Sequence, residues 1–599
     1  MYLSQLIISN FRSIKYMELT FQKGVNILIG ENNSGKSAII DALRIGLGFG
    51  KPDNTISIRE TDLHINKNDP NEQNSEIQLD FIFEIEDEIR EKQCFYDFLS
   101  QDKSDPEKQT IQFHIKYSYV HRGKRNFFKR TIWGGDNEGQ LIPYEALEEI
   151  FFIYLDPLRD AVYSLKPYSY NNKVGNLFNE LTKYSKGGAE IPLDEEKKKQ
   201  LAAELYQVFE GEESDWESIL QTGNEKVNDH LKGTGISAKY PNIKMNYLGR
   251  KYSDVVRGIE LKRPVYNAEL NGEQKYFEIH QNGLGENNLI YASVVLGDLI
   301  NRCEDQELQL YNALLVEEPE AHLHPQYQNT FFAYLNKLQD TGVQLFITSH
   351  SPTITAKSDM ENITVLQKQE EKIAPFIFSV LSTEDFSIRN RNHLKKFLDT
   401  SKAQLLFANG VILVEGIAEA LLLPILSKQF LNIDLDEYGI EIVNINGVAF
   451  EHFAKLFNNE DEKKRLLARC SIITDSDPVV GKPKSDRALK AETFAAANLK
   501  VCLAPNSLEI DLFNCADVNK SVMRFVYRGL HPQTADLLNQ FEADSLWEKL
   551  NSNRDKGDFA LELQNILSDV EGFEVPEYIK DAISWVTRLE EENVQQANG

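Results

Sequence analysis

The chain has 599 residues, well past the size at which a single hydrophobic core stops growing, so it divides into several domains. Its 41% hydrophobic and 26% charged content, with 33 Gly and 19 Pro, excludes a disordered, collagenous or repeat-dominated chain. Lys plus Arg number 65 against 92 Asp plus Glu, and the net charge of -27 argues against nucleic-acid binding through overall charge while leaving room for a confined basic groove.

From the N-terminus, LSQLIISNF, MELTF and GVNILIG read as short strands. The apolar spacing of Ile39, Ile40, Leu43 and Leu47 predicts a helix straight after the last of them. Arg12 and Lys15 sit where a secretion signal would need its apolar run, and no later apolar segment is long enough to span a bilayer. Between strand and helix lies Gly30-Glu-Asn-Asn-Ser-Gly35-Lys36-Ser37, which fits G-x-x-x-x-G-K-[ST] in the strand–loop–helix context that pattern requires. The glycines let backbone N–H groups turn inward around phosphates, with Asn33 and Ser34 in the turn. Lys36 then reaches the terminal phosphates and Ser37 can ligate Mg2+. Nucleotide binding is the expectation.

EIQLDFIFEI, TIQFHIKYSYV and NFFKRTIW predict a strand meander in the same domain, and Asp62-Leu-His64 is a candidate for metal or phosphate contact. Two stretches mix cations with aromatic residues: His121 to Arg130, and Lys244 to Tyr252 continuing to Arg257. Either could hold phosphate and stack on bases, although a hairpin with a solvated face is the plainer reading of each.

From about Asn172 to Gly233 the pattern turns helical, with Leu201, Leu205, Val208 and Phe209 on one stripe and a capping box at Ser214 to Glu217. An oligomerisation insert and a plain helical subdomain fit it equally. Asn282-Gly-Leu-Gly-Glu-Asn-Asn288, with Gly283 and Gly285, opens a helix whose N-terminus can bind an anion in trans. Ala313 to Val316 then form an apolar strand that delivers Glu317 and Glu318 to a site at its carboxyl end. One acid would hold Mg2+ through water and Glu318 could activate water against a γ-phosphate, the alternative being an acidic strand end in an acid-rich chain. LFITSHSP brings His350 to the same sheet edge, where an imidazole can sense or polarise that phosphate; His322 and His324 follow the acids directly.

The order of these elements resembles an ABC-type ATPase head, with the phosphate loop at Gly30 to Ser37, a divergent signature at Asn282 to Asn288, the acidic strand at Leu314 to Glu318 and a switch histidine at His350. That resemblance implies ATP held between two heads, hence a homodimer or higher homo-oligomer.

In the last third, GVILVEGIAEALLLPIL predicts a strand ending at Glu415 and a helix carrying Glu419 one turn later, so both carboxylates face one point. CSIITDSDP predicts a strand ending in Asp475 and Asp477, aimed to one side by the period of two. Ser507-Leu-Glu509-Ile-Asp511 is a third candidate. Oxygen clusters of this kind at strand ends suit Mg2+ or Mn2+. Acid-x-acid triples also arise by chance in so acidic a chain, and what chance does not supply is their joint placement after apolar strands. Five scattered cysteines without a CxxC pair exclude a zinc module and fit a reduced cytoplasm.

ILVEG, the glycine of NINGV and ITDSD resemble the Toprim signature. A Toprim block after an ABC head is similar to the OLD (overcoming lysogenisation defect) family of ATP-dependent endonucleases, which includes the Gabija nuclease subunit. EEPEAHLHPQ, TSHSP and a late Lys556-Gly-Asp-Phe-Ala extend the resemblance over nearly the whole chain.

The resemblance implies that Glu415, Glu419, Asp475, Asp477 and Glu509 or Asp511 bind two metals, with Lys556 stabilising the scissile phosphate. It also implies a duplex DNA substrate, a role in antiphage defence and, in some members, a UvrD-like helicase partner. The expected fold is α/β: an ATPase head in residues 1–170 and 261–375, a helical insert at 171–260 that is a dimerisation candidate, a linker at 376–404, and a Toprim domain at 405–599. KKRLLAR, residues 463 to 469, adjoins a Toprim strand and is a further candidate for positioning a duplex. Two other functions fit the same features: an ATP-driven DNA clamp with a non-catalytic Toprim domain, and a Toprim ribonuclease acting on tRNA. The intact acids argue against the first.

Overall fold

The computed structural model describes residues 1–48, 56–65, 75–101, 105, 108–122, 125–140, 142–157, 161–169, 172–210, 219, 222, 225, 251–270, 273–304, 309–369, 372–398, 402–447, 449–476, 484–532, 542–553 and 555–589. They form two compact units, one of Met1–Pro143 with Phe346–Gly599 and the other of Tyr144–Leu345.

The first unit opens with β1 (Tyr2–Phe11), β2 (Ile14–Thr20) and β3 (Val25–Gly30), followed by α1 (Lys36–Leu47). β4 (Glu76–Glu84), β5 (Leu99–Gln101), β6 (Gln109–Arg122) and β7 (Arg125–Gly134) join β1 and β2 in the antiparallel order β2-β1-β4-β6-β5, with β7 on β6. β4 buries Ile77, Leu79, Phe81 and Phe83, each second residue, because successive side chains of a strand point to opposite faces. Phe81 stacks on Phe113 of the neighbouring strand at 4.7 Å. Asp62 is held in a structural network, accepting from Arg12 Nε at 2.9 Å, while His64 Nδ1 lies 2.9 Å from the Arg12 carbonyl.

In the second unit β8 (Ile150–Leu155) gives way to α2 (Lys173–Asn179), the hairpin of β9 (Lys183–Lys186) and β10 (Ala189–Pro192), and α3 (Glu195–Glu210). The region expected to be helical therefore also carries a small antiparallel hairpin. Its capping box at residues 214–217 and most of the basic stretch from Lys244 lie outside the described residues. A second hairpin, β11 (Lys262–Leu270) with β12 (Glu273–Glu278), precedes α4 (Leu284–Glu304), β13 (Tyr311–Glu317) and α5 (Pro325–Lys337). β13 pairs in parallel with β8 and is buried from Ala313 to Val316, the continuous apolar run typical of a parallel strand covered on both faces.

β14 (Gln344–Ser349), which enters the first unit at Phe346, and β15 (Ile363–Gln369) flank β3, and β16 (Lys372–Ile377) pairs antiparallel with β15. The segment expected to be a linker contains α6 (Ile388–Phe397). Ser387 caps this helix by accepting from the Asn390 N–H at 3.2 Å, Leu394 is fully buried, and Arg391 donates to the Leu381 carbonyl at 2.6 Å. It is a packed element and not an extended connector.

The C-terminal block is a parallel sheet in the order β18-β17-β19-β20, formed by β17 (Gly410–Val414), β18 (Ile440–Asn444), β19 (Arg469–Asp475) and β20 (Leu499–Ala504). α7 (Ile417–Phe430) follows β17. After β20 come α8 (Leu508–Cys515), α9 (Asp517–Leu530), α10 (Lys556–Leu567) and α11 (Glu577–Thr587). Leu422, Phe513, Met523, Leu563 and Ile583 share one core with the sheet. Because all four strands run the same way, everything at their carboxyl ends emerges on one edge. Among the described residues no helix is long and apolar enough to cross a membrane.

Candidate functional site

The phosphate loop lies in the first unit, between β3 and α1. Lys36 is buried, and its Nζ donates to the Gly30 carbonyl at 2.8 Å, the Glu31 carbonyl at 2.7 Å and Ser34 Oγ at 3.3 Å. Gly30 has φ 151°, and a Cβ there would lie 2.3 Å from the Leu366 carbonyl, so no other residue fits. Asn33 at φ 62° and Gly35 at φ 93° complete a turn of the kind that presents backbone N–H groups to an anion at the start of α1, where Ser37 stands. Burial raises the Glu31 carboxyl above its ordinary range, opposed by Lys36 and Lys368. Glu31, Asn32 and His350 line one cleft of about 490 Å³ together with Phe407, Asp436 and Glu441 from the region around β17 and β18.

In the second unit Glu317 ends β13 and accepts a hydrogen bond from the Tyr154 hydroxyl. Glu318 has φ 44°, a conformation that non-glycine residues adopt only when the surroundings impose it. The turn before α4 packs against the segment that follows these acids: a Cβ on Gly285 would fall 2.6 Å from the His322 carbonyl, whereas Gly283 faces open space. The asparagines of this turn are occupied within it. Arg263 Nε donates to Asn282 Oδ1 at 2.8 Å, and Asn287 Nδ2 donates to the Ile279 carbonyl at 2.7 Å. His324 caps α5, accepting from the Gln326 N–H at 3.4 Å.

At the carboxyl edge of the C-terminal sheet, Glu415 follows β17 and accepts from Thr474 Oγ1 at 3.0 Å. Asp475 is the last residue of β19. Glu419 sits in the first turn of α7, and its carboxyl is held above the usual range chiefly by burial, then by the charges of Glu509 and Glu415, with Lys556 opposing. Glu509, in the first turn of α8, accepts from Ser507 Oγ at 3.2 Å and from Lys556 Nζ at 3.3 Å. Asp511 is employed differently: it accepts from the Asn506 N–H at 3.1 Å and Nδ2 at 2.9 Å, pinning the loop between β20 and α8. Asp477 lies outside the described residues.

Most of the KKRLLAR segment is taken up by packing, with Lys463 left exposed. Lys464 pairs with Asp385 at 2.8 Å, Arg465 donates to the Asn459 and Glu460 carbonyls, and Leu466 and Leu467 are buried. Sequence reasoning named Ser507 only as part of the Ser507–Asp511 candidate, without a role, and missed Thr474 and Tyr578. Thr474 is adjacent to Asp475 and recognisable as a hydroxyl donor, whereas Tyr578 is far along the chain and has no local signal.

The donors that gather here, Glu415, Glu419, Asp475 and Glu509, offer only oxygen, the set that hard divalent cations take. Among the described residues no three His, Cys, Asp or Glu side chains already converge at ligand spacing. Two features nevertheless fit a cation: a buried Glu419 beside like charges, and a buried Tyr578 hydroxyl with no hydrogen-bond partner among the described residues.

Residues 1–355 match the family described as AAA ATPase domain, and residues 406–477 match the family described as overcoming lysogenization defect protein-like, TOPRIM domain. The chain is 22% identical over 371 residues to "Endonuclease GajA" of Bacillus cereus (strain HuB5-5), covering 52% of this chain and 53% of that protein. It is 24% identical over 497 residues to "Old nuclease" of Escherichia phage P2, covering 79% and 78%. It is 31% identical over 172 residues to "OLD nuclease" of Thermus scotoductus, covering 28% and 31%. The match thus spans about half the length of the first of these relatives and about a third of the last. Topology and family agree on an ATPase head followed by a Toprim α/β domain.

Proposed function

The chain belongs to the family that joins an AAA ATPase domain to an OLD-like Toprim domain, and from that premise we propose that it is an ATP-regulated, divalent-metal-dependent endonuclease that nicks or cleaves duplex DNA. The observation that carries this reading is the gathering of Glu415, Glu419, Asp475, Glu509 and Lys556 at one edge of a parallel sheet. The relatives named as nucleases support it.

Glu415, Glu419, Asp475 and Glu509, with Asp477 as a further ligand by family resemblance, would hold Mg2+ or Mn2+. When bound, such ions activate water and neutralise the charge that develops on a phosphodiester. Thr474 fixes the rotamer of Glu415, and Ser507 does the same for Glu509, so the donor oxygens are oriented in advance. Lys556 supplies a cation within reach of the same edge, suited to the scissile phosphate.

In the first unit, Lys36 and Ser37 would take the phosphates of ATP and its Mg2+, with His350 as the switch histidine; the family resemblance gives Glu317 and Glu318 the roles of Mg2+-holding and water-activating acids and the Gly283–Gly285 turn that of the signature contributed by a second copy. Glu31 and His350 share a cleft with Asp436 and Glu441, which supports communication between nucleotide and nuclease block. A homodimer or larger homo-oligomer, a UvrD-like helicase partner, antiphage defence and a cytoplasmic location belong to the same proposal through the family resemblance.

The test is incubation of the purified protein with supercoiled plasmid and, separately, with RNA, in Mg2+ or Mn2+, with and without ATP. Plasmid relaxation or linearisation that Glu415→Ala and Asp475→Ala abolish is the expected result. Cleavage unchanged in both variants would falsify the assigned site, and degradation of RNA in preference to plasmid would replace the substrate.

A further inference from the structure

Tyr578 stands in the first turn of α11 and is 9% exposed. Its hydroxyl is buried and, among the described residues, has no hydrogen-bond partner. Buried polar atoms are almost always paired, so an orphaned one calls for a physical reason.

The direction of α11 supplies one. Near its C-terminal end Trp585 Nε1 donates to the Cys470 carbonyl at 3.1 Å, at the start of β19, and the Val586 carbonyl lies against Gly410 at the start of β17. From Trp585 back to Tyr578 the helix climbs about 10 Å, while β19 advances about 17 Å from Cys470 to Asp475. The beginning of α11 therefore rises toward the carboxyl edge of the sheet. Asp511, Asp475, Glu419 and Glu509 are the charges that act on the Tyr578 hydroxyl and, after burial itself, push its pKa up.

The partners of these acids narrow the choice. Asp511 is bound by Asn506, Glu509 already has Ser507 and Lys556, and Asp475 has interactions of its own. Glu419 bonds its own backbone N–H and, among the described residues, has no side-chain donor. Among the described residues, a buried donor without an acceptor and a buried acceptor without a side-chain donor thus stand at one sheet edge.

We propose that Tyr578 is a positioning residue of the metal site, its hydroxyl donating to the Glu419 carboxylate when that carboxylate serves a divalent cation. This rests on the reading of the acid cluster as a metal site. The hydroxyl fixes which Glu419 oxygen faces the cation and offsets the cost of keeping that carboxylate charged in a buried setting. Tyr578 itself touches neither substrate nor metal.

The decisive variant is Tyr578→Phe, which removes one oxygen and leaves the ring packing. In chelator the variant should melt no lower than wild type, because it loses a buried hydroxyl that has no partner among the described residues. Its affinity for Mn2+, measured by electron paramagnetic resonance of the free ion, should fall about tenfold, the usual cost of removing a group that orients a metal ligand. Cleavage should return at saturating Mn2+. In a Glu419→Gln background the same change should have no further effect on Mn2+ affinity.

Unaltered Mn2+ affinity in Tyr578→Phe, or a loss that persists in the Glu419→Gln background, overturns the proposal. A lower melting point without an affinity change assigns Tyr578 a packing role and overturns it too. If wild type binds and cleaves normally with Mn2+ while Tyr578→Phe matches it, only this inference falls. If wild type binds no Mn2+, the metal-site reading falls and this inference with it.

Discussion

Lys556 Nζ lies 3.1 Å from Oε1 and 3.3 Å from Oε2 of Glu509, so one ammonium spans both oxygens of a carboxylate whose side chain is only 7% exposed. Truncation by Lys556→Ala leaves Glu509 buried beside Glu419 without that counter-charge. Because Lys556 is about a third exposed and screened by water, the expected loss in chelator is modest, about 1 kcal/mol. Mg2+ should restore more stability to the variant than to wild type, since it takes over the neutralising role. Thermal melts with and without Mg2+ measure both, and plasmid cleavage should fall about 100-fold or more.

Glu419 gives a pH signature. Its folded carboxyl pKa lies above the ordinary 4.5, first through burial and then through Glu509 and Glu415. The unfolded chain therefore releases its proton first as pH rises, and stability is lost between 4.5 and the raised folded value. Glu419→Gln removes this penalty. Without metal it should melt higher than wild type at neutral pH, the difference vanishing in acid below the ordinary value. The same variant should fail to cleave at any pH. A neutral-pH melting point below that of wild type would contradict the assignment of burial as the main cause.

Lys36 is committed to three oxygens of its own loop, so Lys36→Ala removes both a phosphate-binding cation and a clamp on the Gly30–Ser34 turn. Affinity for a fluorescent ATP analogue should drop at least about tenfold, or about 1.4 kcal/mol. Mn2+ binding at the Toprim edge should be untouched, as that site shares no residue with the loop. Parallel loss of both would indicate general unfolding.

What the sequence revealed, and what it hid, follows from range. The phosphate loop and the strand ends at Glu415 and Asp475 are local patterns in which each residue's job is set by neighbours a few positions away. Asp511 looked equivalent to Glu509 by the same logic, yet Asn506 claims it, a choice made by the loop geometry after β20. The stretch around α6 read as a linker because its apolar residues are few. Its burial comes from single side chains: Leu394 is buried, and Asn390 meets His452 some sixty residues away. Tyr578 was invisible for the same reason: only the antiparallel run of α11 across the sheet brings it toward the acids.

The joint made by α6 predicts acid sensitivity. His393 and His452 stack with ring centroids 3.9 Å apart, His452 Nδ1 pairs with Asn390 Oδ1 at 2.8 Å, and His393 Nδ1 is buried with no partner among the described residues. Burial lowers both pKa values below the ordinary 6.5. Arg389 adds to this for both, His452 for His393 and Lys490 for His452, while Glu451 opposes at His452. The folded state thus resists protonation that the unfolded chain accepts, and stability present above 6.5 is lost as pH falls from there toward the depressed folded values. His393→Phe keeps the ring and cannot charge. Its melting point should decline less than that of wild type on acidification below 6.5, and an identical decline would exclude His393 as a source.

The β6–β7 hairpin is the surface on which DNA binding can be tested apart from catalysis. Its register pairs Ser118 with Lys129 and Val120 with Phe127, so these share one face. On the opposite face Tyr119 donates to Glu60 at 2.8 Å and lies 5.0 Å from the Phe128 ring. Phe127 is 44% exposed and Lys129 is exposed, in a chain whose charge elsewhere repels phosphate. A two-stranded ribbon is also narrow enough to enter the major groove of a duplex. Phe127→Ala combined with Lys129→Glu should weaken binding of a short duplex roughly tenfold and flatten the salt dependence of the binding constant by about one to two units of log–log slope. Fluorescence anisotropy in chelator across a salt series reads both numbers without cleavage. An unchanged slope would show that the duplex is held elsewhere, since a lost phosphate contact must release fewer counterions whatever the base sequence.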